Sequence, residues 1–216
     1  MRGIAIVGGA CPPPEVLKKI VRGADLLAAA DSGLIAAEAA GLNPDWVLGD
    51  MDSLDDPARL EKYPPGRVLR YPPGKDFTDT ELTITLLREK GCGEIWLAGG
   101  GGGRTDHLLA IYSLFEHADP PDRWFTANEE IHCLREGRAL SMALKAGSRV
   151  SVLPLGAGPW EAESSGLKWP LDGLAWEKSG LGLSNAATDG SFAIRSKKGR
   201  FMVLWELKGE VPKALR

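Results

Sequence analysis

"TDTELTITLLREKGCGEIWLAGGGGGRTDHLLAIYSLFEH", residues 78–117, sets two helical patterns around one short apolar run. Thr78 and Glu81 have the Thr-x-x-Glu spacing of a capping box, so a helix is predicted from there to Gly91. Its last turn is cationic, which suits the negative end of the helix dipole. "EIWLAG" (94–99) reads as a buried strand, and five glycines (99–103) close it. Residues 105–117 read as a second helix, with Leu108, Ile111, Tyr112 and Phe115 on one face. Helix, strand and helix in 40 residues imply a parallel sheet with helices on both sides.

The same alternation extends upstream. "IAIVG" (4–8), "DLLAAA" (25–30), "DWVLGD" (45–50) and "RVLRY" (67–71) read as strands, and 14–24 and 33–41 as helices. After "RWFTANEE" (123–130) the pattern changes to short runs with period-two alternation separated by glycine-rich turns. The expected fold class is therefore an α/β N-terminal domain with a mostly parallel sheet flanked by helices, followed by an all-β C-terminal sandwich. The expected division is 1–128 for the catalytic α/β domain and 129–216 for the sandwich.

Composition narrows the function. With 44% hydrophobic and 25% charged residues the chain is an ordinary globular one, and a net charge of -3 argues against a broad nucleic-acid surface. No apolar stretch is long enough to span a membrane, and "MRGIAIVGGACPPP" lacks a signal-peptide layout, so a cytoplasmic protein is expected. Cys11, Cys92 and Cys133 are scattered and read as free thiols rather than a zinc site.

Three polar clusters carry chemistry. In "LGDMDSL" (48–54), Asp50 and Asp52 project to one side if the strand continues, with Met51 turned away. Carboxylates beyond the carboxyl end of a strand suit Mg²⁺, although a solvated turn explains the pair equally well. In "PPGKDFTDTE" (72–81) the capping box accounts for Thr78 and Glu81, and the helix dipole for Asp79. It leaves Lys75 and Asp76 unexplained, and a lysine among acids could hold a phosphate whose metal the acids hold. In "AGGGGGRTDH" (98–107), glycines at a helix start let backbone N–H groups approach an anion, and Arg104 adds a forked cation. The pattern is neither a P-loop nor a dinucleotide fingerprint. His107 is either a general base or polar surface; His117 and His132 have no motif around them. The residues point to metal–nucleotide chemistry without naming an acceptor.

These clusters, in this order, resemble those of the thiamine pyrophosphokinase family. "ADSG" (30–33), "GDMDS" (49–53), "KDFTDTE" (75–81) and "GGGGGRTDH" (99–107) match its motifs, and "SSGLKWPLDG" (164–173) and "GLSNAA" (182–187) match segments of its second half. The resemblance implies transfer of the β,γ-diphosphoryl group of ATP to the thiamine hydroxyl, giving thiamine diphosphate and AMP. It implies a homodimer with active sites between subunits. Asp50, Asp52 and Asp79 would hold Mg²⁺. Lys75, Asp76, Thr78, Gly102, Gly103 and Arg104 would contact ATP, and Asp106 would join Asp31, Trp169, Ser184 and Asn185 around thiamine. Asp50, Asp52, Asp79, Arg104 and Asp106 would form the catalytic set. Ser32, Met51, Ile111 and Ala186 stand where the family more often has Gly, Phe, Asn and Glu. Two rival readings are a diphosphokinase for 6-hydroxymethyl-dihydropterin and a non-catalytic thiamine or nucleotide sensor.

Overall fold

The structure is a computed structural model that describes residues 1–177 and 182–207. Residues 178–181, within the tryptophan- and leucine-bearing stretch 169–183, lie outside the described residues. The chain forms two compact units. One comprises Met1–Leu114 with Arg123–Ala127; the other comprises Phe115–Asp122 and the chain from Asn128 onward.

The first unit runs β1 (Arg2–Val7), α1 (Pro14–Val21), β2 (Leu26–Ala30), α2 (Gly33–Ala39), β3 (Trp46–Gly49), β4 (Val68–Arg70), α3 (Asp79–Glu89), β5 (Glu94–Gly99), α4 (Thr105–Leu114) and β6 (Arg123–Phe125). The strands lie in the order β6-β5-β1-β2-β3-β4, and every pairing is parallel. Burial explains the composition: all but the first residue of β1, β2, β3 and β5 is buried, as a sheet covered on both faces requires. The chain steps outward from β1 to β4 and then returns to β5 on the other side of β1. That reversal puts a crevice at the carboxyl ends of the strands, where ligands of such sheets bind.

Two local features have clear causes. Residues 57–67 hold two short 3₁₀ turns, the first capped by the Asp56 carboxylate, which accepts from the Ala58 N–H at 2.9 Å. Helix α4 stops at Leu114 rather than at 117. The carbonyls of Glu116 and His117 instead accept from the Arg200 guanidinium, at 2.9 and 2.5 Å, within the second unit.

The second unit contains β7 (Glu129–Leu134), β8 (Ala139–Ala143), β9 (Arg149–Leu155), β10 (Glu161–Ser165), β11 (Gly182–Ala186), β12 (Ser191–Lys198) and β13 (Arg200–Glu206). One antiparallel sheet has the order β11-β9-β13-β7 and a second the order β10-β12-β8. Both sheets feed one core: Val150, Val152, Phe201 and Trp205 from the first meet Met142, Ala162, Phe192 and Ile194 from the second. This is the two-layer β architecture expected of period-two strands with one apolar face. Among the described residues no helix is long and apolar enough to cross a membrane.

Candidate active site

A cleft of about 520 Å³ opens in the first unit, and its walls are the segments that follow five consecutive strands. Gly8 and Gly9 come after β1, Asp31 and Ser32 after β2, and Asp50 and Ser53 after β3. Lys75 to Thr80 lead from β4 into α3, and Gly100 to Arg104 lead from β5 into α4. Cluster residues far apart in sequence thus meet because parallel strands all end on one side.

Asp31, Asp50 and Asp79 converge there, each offering a carboxylate oxygen, and these oxygens lie within 4.8 Å of one another. Asp31 adopts a left-handed backbone conformation with φ of 50°, which Asp tolerates better than most residues. Its Oδ1 is buried and accepts no hydrogen bond. Burial raises the Asp31 pKa; a hydrogen bond from Ser53 opposes this, and the charges of Asp50, Asp79 and Asp52 raise it further. Asp79, at the start of α3, has its Oδ1 2.8 Å from the Lys75 ammonium, but without the angle of a hydrogen bond. Three acids, two of them (Asp31 and Asp79) with a buried oxygen that makes no hydrogen bond, and one cation make a site of uncompensated negative charge. Hard oxygen donors of this kind match a divalent cation such as Mg²⁺.

The loop after β3 differs from the extended geometry read from sequence. Met51 has φ of 67° and is buried against Leu34, Leu54, Leu60 and Tyr63. This turn breaks the strand alternation on which the pairing of Asp50 and Asp52 rests, and the acidic group joins Asp50 with Asp31 and Asp79. Asp52 is exposed; its backbone N–H donates to Asp50 Oδ1 at 3.1 Å, and its carboxylate accepts from the Ser53 hydroxyl at 3.0 Å. Asp52 therefore orients Asp50, while Asp31 occupies the third position of the acidic group.

Asp76, Phe77 and Thr78 line the cleft beside Lys75. Thr78 is fully used by the capping box: its hydroxyl accepts from the Glu81 N–H at 3.2 Å and donates to Glu81 Oε2 at 2.8 Å, and its own N–H donates to the same oxygen at 2.8 Å. The glycine run has two local reasons. A side chain at Gly99 would strike the Val7 carbonyl at 2.2 Å, whereas Gly103 has open space but φ of 76°, a conformation that favours glycine. Gly102, with φ of 64°, lines the cleft together with Gly103. Arg104 follows, exposed, with its guanidinium forked onto Asp106 at 3.1 and 2.6 Å. That contact holds the Asp106 carboxyl down to about 2. Arg104 and His107 line the cleft.

In the second unit Trp169, Ser184 and Asn185 lie together. Trp169 is 52% exposed, with the Lys168 ammonium 4.5 Å from its ring centre. Asn185 is buried and grips the backbone of Trp169: its Oδ1 accepts from the Trp169 N–H at 3.1 Å and its Nδ2 donates to the Trp169 carbonyl at 2.6 Å. Ser184, exposed and with φ of 56°, donates its N–H to the Ser151 hydroxyl at 3.1 Å. Trp169 is thus displayed rather than packed, and Asn185 holds it there. Sequence reasoning missed Ser53, which lines the cleft and closes the "GDMDS" motif, and it missed Phe77 and Lys168.

Residues 17–122, which include the acidic group, the glycine run and Arg104, match the family model described as thiamin pyrophosphokinase, catalytic domain. The chain belongs to the thiamin pyrophosphokinase family. The fold agrees along its length. Thiamine pyrophosphokinase from Bacillus subtilis superposes with a TM-score of 0.80 at 22% identity, covering 96% of this chain and 100% of that one. The Geobacillus thermodenitrificans protein of the same name gives 0.77 at 24% identity, covering 96% and 98%. Yeast thiamin pyrophosphokinase gives 0.72 at 16% identity, covering 95% and 86%. No curated protein sequence matches significantly.

Proposed function

We propose that this chain is a Mg²⁺-dependent diphosphokinase that moves the β,γ-diphosphoryl group of ATP to the hydroxyl of thiamine, yielding thiamine diphosphate and AMP. The observation that carries the reading is the acidic group Asp31, Asp50 and Asp79, set in one cleft with Lys75 and Arg104 in a member of this family. Asp31, Asp50 and Asp79 would hold the metal, and the bound ion would neutralise charge on the transferring phosphates. Lys75 would contact a phosphate from its place beside Asp79. Asp76, Gly102 and Gly103 complete the phosphate side of the cleft. Arg104 would exchange partners: an incoming phosphate takes its fork, and Asp106 is released to accept from thiamine. The hydroxyl oxygen then bonds to the β-phosphorus, the bond from that phosphorus to the α-phosphate oxygen breaks, and the hydroxyl proton is lost. Trp169, held by Asn185 and flanked by Ser184, would stack on the cationic thiamine ring, within a homodimer. The three free cysteines accord with action in the cytoplasm.

The test is AMP release from ATP and Mg²⁺ with thiamine, with 6-hydroxymethyl-dihydropterin, or with no acceptor. Thiamine-dependent AMP together with thiamine diphosphate is expected. AMP formed with the pterin alone, or none with either acceptor while thiamine or ATP still binds, would replace the proposal by one of the rival readings.

A further inference from the structure

Phe77 stands at the cleft with 60% of its surface exposed. Its neighbours are fixed on both sides: Lys75 is 2.8 Å from Asp79, and Thr78 is bound into the capping box. The ring is therefore presented by an ordered backbone, not left at a loose tip. The same cleft has a charged side, with Asp31, Asp50, Asp79, Lys75 and Arg104, and an apolar wall from Ala110, Ile111 and Leu114 of α4. A ligand that uses both sides is polyanionic at one end and planar and apolar at the other.

We infer that Phe77 stacks on the base of the nucleoside triphosphate and accepts any of the four common bases, an inference that rests on the reading of this cleft as a nucleotide site. A phenyl ring has no donor or acceptor, so it senses the π-face that every base has and not the edge that distinguishes bases.

The experiment is calorimetric titration, in Mg²⁺ and without acceptor, of ATP, GTP, CTP, UTP and inorganic tripolyphosphate into the wild type, Phe77→Ala and Phe77→Trp. Wild-type affinities for the four nucleotides should fall within about tenfold of one another. Phe77→Ala should weaken all four by about tenfold, the scale of one base–aromatic stack. Tripolyphosphate affinity should not change, and Phe77→Trp should restore the nucleotides. Melting temperature should be unaltered, because the ring is exposed. Unchanged nucleotide affinity in Phe77→Ala, an equal loss for tripolyphosphate, or a preference for one base above about a hundredfold would overturn the inference. So would a rise in the thiamine KM of Phe77→Ala without a nucleotide effect. These titrations need no turnover, so failure of thiamine-dependent AMP release would leave their outcome separate.

Discussion

Two acidic positions of the first unit, Asp31 before α2 and Glu38 within it, are built in opposite ways. Glu38 is half-buried and fully answered: Arg59 pairs with one oxygen, and Lys62 lies 2.9 Å from the other. The hydrogen bond from Lys62, and then that from Arg59, hold its pKa below 4.5 against the opposing effect of burial. Asp31 has a buried oxygen without a partner, two acids beside it, and a pKa raised above 3.8. One carboxylate closes a network within the chain; the other is left open to something from outside. The contrast teaches that partner supply, not acidity, separates a structural acid from a ligand.

The largest effect should come from Asp50→Asn or Asp79→Asn. Each removes charge from the open group and should lower kcat by about a thousandfold or more, as expected where a metal ligand stabilises transferring phosphates. Glu38→Gln should leave kcat unchanged. Near-normal turnover in saturating Mg²⁺ for both aspartate variants would erase the distinction. Next, Arg104→Lys should raise the KM for ATP by about tenfold, because an ammonium cannot reproduce the guanidinium fork. Wild-type ATP kinetics would remove Arg104 from the phosphate side. Trp169→Ala should raise the thiamine KM by about tenfold with little change in melting temperature, since the ring is half exposed. Trp169→Phe should recover part of the loss. A large fall in melting temperature with unchanged thiamine KM would mean the ring packs instead of binding.

The smallest effects are on stability, and their pH dependence has opposite signs. Glu38 has a lowered pKa when folded, so it adds stability above its unfolded value of 4.5 that is lost as the pH falls through the folded value. Glu38→Gln should therefore cost about 1 kcal/mol at pH 7, after allowance for solvent screening, and nothing in strong acid. Asp31 has a raised pKa, so its ionised form destabilises the metal-free fold. That penalty is absent below 3.8 and complete above the folded pKa. Asp31→Asn should raise the melting temperature slightly at pH 7 in chelator and lose that advantage in acid. In Mg²⁺ the wild type should overtake it, because only the intact group gains from binding. Thermal melts at pH 3 and pH 7, with and without Mg²⁺, read both signs.

The parts of the molecule legible in the sequence are those with local causes. The strands β1, β2, β3 and β5 are short apolar runs, and the Thr78 capping box is a four-residue pattern whose atoms meet as the spacing implies. The acidic group was only half legible. Asp31 comes 19 positions before Asp50, and they meet because β2 and β3 pair in parallel with Ala30 opposite Leu48, ending both strands together. No spacing rule within one segment carries that register. The left-handed turn at Met51 was hidden for a similar reason: the buried pocket of Leu34, Leu54, Leu60 and Tyr63 draws the side chain inward and overrides strand alternation. Asn185 looks like a binding residue in isolation, yet both ends of its amide serve the backbone of a residue 16 positions away.

The central claim is that Asp31, Asp50 and Asp79 form a divalent-cation site. It is met most directly by titrating Mn²⁺ without nucleotide and following free Mn²⁺ by electron paramagnetic resonance. Wild type and Glu38→Gln should bind one ion with equal affinity, and Asp31→Asn, Asp50→Asn and Asp79→Asn should each weaken it by about tenfold or more. Equal binding by all five proteins, or loss in Glu38→Gln alone, would contradict the account.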